Sequence, residues 1–571
     1  MKTKLLFSLV SLAAVSGFAA APQCTNVTIA QPSAAVEVTF DLDKDAIVTF
    51  AFATNGAPVS PDCLTALSGD GLGFVQAGQG RKLVWKGWKD LPNARLENLS
   101  VKLTAWNPDV PPPYMVANLA KQGDVRYYAS AADIPFGVGN VRYKTTHMVF
   151  SKIPAAGRNW SVGSNAGEES TAAREVPHQI RFADDYYMAI YECTGGQYSH
   201  FKANPTPATA VVDGKTLNVH PYRDDLDVVP VSLCKMADVR GGDNFAAAPT
   251  GSSAIGLMRT RTGLALDLPT HNEWEIAVRG GLSGRINVLG ASMDEIAWTT
   301  GNWKNDPKYS AGLYTVNQSH EVGLLKPNAF GLYDTVGNAL ELGRDWFDDS
   351  TYTADIGPGA TAANVNDVVW PATVRTTRNG TSTNCGRFGG GFNESSTAKG
   401  MSPARWAGYG YNGQYDTGFR LMCPVRFGGR LTSETYVEKR LMTVTYDLAE
   451  DSIVTFDVKH NGVSLGAAAS DVGGEANKLV LAGTARKIYW RPDRVAPGVD
   501  PAELTPEVKV WKKDAPPDYM VVELHSGDVR YYADETFVPD GGVTNRKYKT
   551  THYGMRKIPA KDVIWTMGST A

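Results

Sequence analysis

PNAFGLYDTVGNALELGRDWFDD, residues 327–349, is the stretch on which the reading of the fold turns. It sets Asn328, Gly331, Asp334, Gly337, Asn338, Glu341 and Asp345 among Phe330, Leu332, Tyr333, Leu340 and Trp346. Glycine permits the positive backbone angles that other residues avoid, so this mixture predicts a tight, specific loop.

Upstream of the loop, LDLPTHNEWEIAVRGG at 266–281 reads as a capped helix. Thr270 serves as N-cap with Glu273 three residues on, Gly280 is the stop, and Trp274, Ala277 and Val278 share one face. Earlier come KIPAAGRNWSVGS from Lys152, EVPHQIRFADDYYMAIYECTGGQYSHF at 175–201 and PVSLCKMADVRG at 230–241; RFGGGFNESS at 387–396 and GFRL at 418–421 follow. In order and spacing these segments, with the loop pattern P-N-x-x-G-L-Y-D-x-x-G-N-x-x-E, resemble the formylglycine-generating-enzyme (sulfatase-modifying factor) family over about residues 143–426. The resemblance implies an α+β, C-type-lectin-like fold with enlarged loops and much irregular structure.

It also implies a calcium site in the loop, at Asp334, Gly337, Ala339 and Glu341. Calcium takes about six to eight oxygen ligands and tolerates irregular loops, so side-chain and carbonyl oxygens suit it. A second family calcium site falls near Asn302, where the match names no ligands. The family's enzymes oxidise a substrate cysteine with copper held by two cysteines, and soft thiolates do select Cu(I). This chain departs there: Phe388-Gly389-Gly390-Gly391-Phe392 replaces the arginine–glycine–glycine–serine–aromatic stretch, and Glu394 and Lys399 stand where the cysteines belong. Copper is therefore not expected. Cys385 and Cys423 flank the region outside the motif.

Around the altered stretch lie Asn393, Glu394, Arg405, Trp406, Tyr409, Tyr411 and Tyr415. WAGYGYNGQY at 406–415 has the composition of a recognition loop, rigid amphipathic rings with small spacers, which points to a protein or glycan ligand. The nine histidines are scattered without a metal-ligand pair, and there is neither a G-x-S-x-G elbow nor a phosphate-cradling glycine loop. His178 is read as a packed framework residue. Two readings result: a ligand-binding or surface protein, favoured by the loss of both motif cysteines, and an oxidoreductase of the family with a rearranged metal site acting on protein cysteine.

The rest of the chain sets the context. Met1–Ala21 reads as a secretory signal, with Lys2 and Lys4 ahead of an apolar run too short to span a bilayer. Cys24 lacks a lipobox, and no later segment is apolar enough to span. The product is expected to be exported: periplasmic, cell-surface or extracellular. A net charge of −3 with 20% charged residues recommends no nucleic-acid partner. VEVTFDL, AIVTFAFAT, RKLVWKGW and LSVKLTAW predict a small immunoglobulin-like sandwich over 22–110, its two cysteines, Cys24 and Cys63, paired.

The chain then repeats itself. TFDLDKDAIVTF at 39–50 returns as TYDLAEDSIVTF at 445–456, GDVRYYA at 123–129 returns at 527–533, and YKTTH at 143–147 returns at 548–552. Trp565 follows Trp160 by 405 residues. The expected plan is thus multi-domain: signal 1–21, β-sandwich module 22–110, proline-stiffened linker and lead-in 111–142, the formylglycine-type domain 143–426, a second β-sandwich module 427–512, and 513–571 as a linker and the start of a second large domain. A longer tandem product is expected.

Overall fold

A computed structural model describes residues 21–558 apart from 33–34, 93, 95, 164–176, 204–209, 213–214, 218–225, 246, 283–287, 307–317, 347–368, 372–384, 396–405, 410–415, 426–441, 467–471, 491–494, 497–498, 500–502, 524–528, 540–541, 546–547 and 549–551. The expected signal at 1–21 thus lies outside them but for Ala21. The chain divides into two compact units, Pro22–Val437 and Glu438–Ala571. Both are rich in β-structure, and helices are few.

The first unit opens with a β module of two antiparallel sheets. One orders Cys24–Ala30, Val36–Leu42, Gly78–Trp85 and Leu67–Gly69; in the other, Ala46–Thr54 pairs with Ser100–Trp106 and with two short strands. VEVTFDL alternates as a strand with one buried face must, with Val36, Val38, Phe40 and Leu42 turned inward. Phe52 packs on Trp85 at 5.1 Å between ring centroids. No disulfide joins Cys24 to Cys63, contrary to expectation. The reason is placement within the module: Cys24 packs with Phe40 and Leu42, whereas Cys63 precedes Leu64, which belongs to the separate cluster around Trp85.

The large domain is a mixed α+β body. Its strands, in chain order, include β1 (Tyr114–Asn118), β2 (Val125–Tyr128), β3 (His147–Ile153), β4 (Tyr186–Ala189), β5 (Leu340–Trp346), β6 (Cys385–Phe388), β7 (Trp406–Tyr409), β8 (Thr417–Gly418) and β9 (Met422–Pro424). One sheet runs β2-β1-β3-β4-β9, all antiparallel, and another runs β7-β6-β5-β8. The stretch read as linker and lead-in therefore supplies two strands of the main sheet, with β1 paired to β3 from Tyr114 opposite Ser151 to Asn118 opposite His147. Its prolines face the domain as well. Lys152 donates from its backbone to Pro113 O at 2.8 Å, and Tyr187 Oη donates to Pro112 O at 2.6 Å.

The main sheet is buried on both faces. Met115, Ala117, Phe150, Tyr187 and Ala189 join one apolar cluster with Ile255 and Met258 of the helix Ala254–Thr262. Val116, Val149 and Met188 join the other, with Ile276, Ala277 and Leu332. The helix His271–Arg279, α1, forms as its caps require: Thr270 Oγ1 accepts from Glu273 N at 3.2 Å, Glu273 Oε2 accepts from Thr270 N at 2.8 Å, and Gly280 takes φ 59°. Such an N-cap contributes about 1 kcal/mol.

The unit Glu438–Ala571 repeats this plan. Its β module again pairs two antiparallel sheets, and Trp511 Nε1 donates to Thr455 Oγ1 at 2.8 Å as Trp106 Nε1 does to Thr49 Oγ1 at 2.9 Å. Tyr519–Glu523, Val529–Tyr532 and His552–Arg556 form a sheet with the connectivity of β1, β2 and β3. Among the described residues, no helix is long and apolar enough to cross a membrane.

Candidate functional site

The 327–346 loop is held from within. Asn328 Oδ1 accepts from Phe330 N and Leu332 N at 3.0 and 3.1 Å, while its Nδ2 donates to Ala277 O and Val278 O at 2.8 and 3.0 Å, satisfying the last carbonyls of α1. Asp334 and Asn338 take left-handed backbone angles, φ 51° and 59°, and Gly337 takes φ 78°. A Cβ on Gly337 would lie 2.6 Å from Trp298 O, so no side chain fits there. This loop in turn holds the next: Gly337 N donates to Gly389 O at 2.8 Å and Phe392 N to Asn338 O at 2.9 Å.

Beneath it three carboxylates meet one guanidinium. Arg420, fully buried, donates to Glu341 Oε1 through Nε and Nη2 at 2.9 and 2.7 Å, and to Ala189 O and Tyr333 O at 3.0 and 2.8 Å. Trp274 Nε1 donates to Glu341 Oε2 at 2.7 Å. Glu192 accepts from Ala339 N at 2.9 Å and Asn338 Nδ2 at 2.7 Å. Asp334 Oδ2 accepts from Gly323 N at 2.6 Å, but its Oδ1 is buried with no hydrogen bond. Burial pushes the Asp334 carboxyl up to about 6, and burial followed by Asp334 and Glu341 pushes Glu192 well above the carboxylate range. The cluster wants a proton or a cation.

Beside it, His320 Nδ1 and Asp306 Oδ2 stand 2.6 Å apart, and the His320 ring stacks on Trp298 at 4.0 Å between centroids. Asn338 Oδ1 accepts from His320 N at 2.7 Å, joining this pair to the loop.

Residues 144–424 match the family profile described as "Sulfatase-modifying factor enzyme 1-like domain". They belong to that family. A formylglycine-generating enzyme of Streptomyces coelicolor is 37% identical over 111 residues, 17% of this chain and 33% of that protein. One from Bos taurus is 35% identical over 82 residues, 14% of this chain and 22% of that protein. The chain thus spans a third or less of the length of these curated relatives. Among solved structures, PvdO from Pseudomonas aeruginosa aligns with TM-score 0.36 and 18% identity over 48% of this chain and 93% of that one. Treponema denticola variable protein 1 aligns with TM-score 0.33 and 18% identity, covering 50% and 97%.

The sulfatase-modifying-factor-type domain brings the expected calcium positions into one loop. The carbonyls of Gly337 and Ala339 accept no hydrogen bond among the described residues, and Asp334 Oδ1 is likewise unclaimed. Three hard oxygens of this kind fit a hard cation. Glu341 differs, because Arg420 and Trp274 already claim its carboxylate. No group of three or more His, Cys, Asp or Glu side chains that could hold a metal occurs among the described residues.

Of the expected ligand-binding residues, Asn393 is exposed and Glu394 half-buried, with Glu394 O accepting from Thr300 N at 2.9 Å. Trp406 and Tyr409 lie on β7, opposite Phe388 and Cys385 of β6. Arg405, Tyr411 and Tyr415 fall outside the described residues, as does Lys399. Cys193, Cys234, Cys385 and Cys423 are all buried in one apolar cluster, and burial pushes Cys385 and Cys423 up to about 12. At that value a thiol stays protonated at neutral pH and is a poor nucleophile. His178 is buried, as a framework residue should be. Sequence reasoning missed Glu192, Arg420 and the Asp306–His320 pair. Glu192 and Arg420 were visible only as members of YECT and GFRL, and nothing in sequence paired Asp306 with His320.

Proposed function

We propose that this chain is an exported binding or surface protein. Its sulfatase-modifying-factor-type domain carries no copper chemistry and presents the surface around Asn393, Glu394 and β7 to a protein or glycan ligand. The observation that carries this reading is the pair of residues at the family's copper positions. By the resemblance, Glu394 and Lys399 fall there, a carboxylate and an ammonium in place of two thiolates. The four thiols the domain does possess support the same reading, since all are buried in one apolar cluster away from solvent. A structural calcium ion belongs to the proposal, held by Asp334 and the carbonyls of Gly337 and Ala339, with Glu341 sharing its carboxylate with Arg420. When bound it would supply the positive charge that the buried acids lack.

The test incubates the purified full chain with Cu(I), oxygen and a cysteine-containing sulfatase-type peptide, followed by mass spectrometry for the aldehyde. No product above a copper-only control is expected. Turnover above that control would overturn the binding reading and establish the oxidoreductase with a rearranged metal site.

A further inference from the structure

A cavity of about 270 Å³ lies where the first β module meets β1, β2 and β3, lined by Thr65, Asn118, Arg126, Tyr128, Arg142 and His147 among others. It shares no residue with the site above. Its charges do not balance. Arg126 Nε is spent on Asp124 at 3.3 Å, and Asp124 also accepts from Asn118 Nδ2 at 3.0 Å. Arg142 forms no ion pair among the described residues. Its guanidinium rests 4.6 Å from the Phe136 ring, and Phe136 holds φ 65°, a conformation that bulky residues avoid, with its N–H donating to Asp62 of the β module. The cavity thus has on its wall a guanidinium with no ion pair among the described residues.

The same residues recur in the second repeat. GDVRYYA and YKTTH are identical in both copies, although the stretch between them has diverged. Arg126, Tyr128, Tyr143 and His147 return as Arg530, Tyr532, Tyr548 and His552, and Lys547 takes the place of Arg142. The geometry returns too: Tyr143 Oη donates to Pro135 O at 2.8 Å and Tyr548 Oη to Pro539 O at 3.1 Å. Each tyrosine meets its histidine edge-on with centroids 5.9 Å apart.

We propose that this pocket binds a small ligand through an oxyanion group, a carboxylate, phosphate or sulfate, with Arg142 as counter-charge and Tyr128 and His147 as hydrogen-bond partners. The volume falls just under the roughly 300 Å³ at which drug-sized sites begin, so the ligand is small, about the size of an amino acid or a monosaccharide. His147 reports on occupancy. Burial, then Arg142, push its pKa down to about 4, Arg126 and His200 add to this, and only Asp124 opposes it. An anion beside it reverses that balance.

The experiment follows His147 by NMR in the histidine-labelled full chain, titrated with acetate, phosphate or sulfate against chloride at matched ionic strength. Expected are saturable shifts of His147 with at least one oxyanion, a rise in its pKa, and loss of about tenfold or more in affinity in Arg142→Gln. Arg142→Lys, which copies the second repeat, keeps most of the affinity. A response to acetate alone identifies a carboxylate ligand, and one to phosphate or sulfate a tetrahedral one. Tyr128→Phe, which removes only a hydroxyl, serves if Arg142→Gln does not fold, and weaker binding is expected there. An oxyanion response no larger than that to chloride overturns the proposal, as does undiminished binding in Arg142→Gln or, where that variant does not fold, in Tyr128→Phe.

Discussion

Replacing Arg420 by methionine leaves Glu341 buried with Trp274 Nε1 as its remaining donor at 2.7 Å. Lys144, the other cation acting on Asp334, is already paired with Glu321 at 2.9 Å. Breaking one side of a buried ion pair costs about 3–5 kcal/mol. Ala189 O and Tyr333 O lose a donor as well, which adds about 1 kcal/mol or more. The expected loss is therefore about 5 kcal/mol, a fall of roughly 10–20 °C in the melting temperature of the transition that involves this domain. The companion variant Arg420→Met/Glu341→Leu removes the stranded charge and should recover about 2 kcal/mol or more of that loss. Urea denaturation of the full chain, followed by tryptophan fluorescence, measures both. A loss below about 1 kcal/mol for Arg420→Met, or strict additivity in the pair, would show that the ion pair is not what holds the loop to the sheet.

The remaining predictions concern the same loop and its surroundings. Asp334 is raised to about 6 in the folded chain against an ordinary 3.8, so without calcium its contribution to stability is fully present below about pH 4 and is lost as pH rises through about 6, by about 3 kcal/mol at most. Asp334→Asn flattens that slope; a chelator-treated wild type with no such slope would contradict the assignment. Added calcium should raise the melting temperature at pH 7 and do so less in Asp334→Asn, and indifference of the wild type to both calcium and chelator would remove the site. Gly337→Ala forces a Cβ to 2.6 Å from Trp298 O at φ 78° and should cost about 2 kcal/mol or more in denaturant titrations. Cys24 and Cys63, half-buried, should alkylate in the folded chain well before Cys193, Cys234, Cys385 and Cys423, as peptide mapping by mass spectrometry can check.

Much of the large domain could be read directly because its signals are local. The Thr270–Glu273 capping box and the Gly280 stop lie within one short stretch and form as written. The family motifs likewise located the loop at Asp334, Gly337, Ala339 and Glu341. Pairings across the chain were not legible. Glu341 meets Arg420, and Asp334 lies near Glu192, only once the sheets assemble, and no spacing rule connects residues so far apart. Prolines misled at 111–113, where stiffness suggested a spacer although YMVAN beyond them carries the apolar character of a buried strand. The Cys24–Cys63 pairing failed because sharing a module does not bring two thiols to the same end of its core.

The way β1 and β2 join the main sheet bears on how this protein can be cut. The family match begins at residue 144, three residues before β3. A fragment started there would keep β3 and β4 but discard the partner on the other flank of β3, baring a row of amide and carbonyl groups across Val149 and Phe150. It would also uncover the apolar side chains that Met115 and Ala117 now screen. Naked strand edges of that kind recruit one another, so such a fragment should aggregate. Similarity ends where sequences diverge, whereas a foldable piece ends where the last strand has its neighbour. For this chain the second boundary lies some thirty residues earlier, at about Pro111.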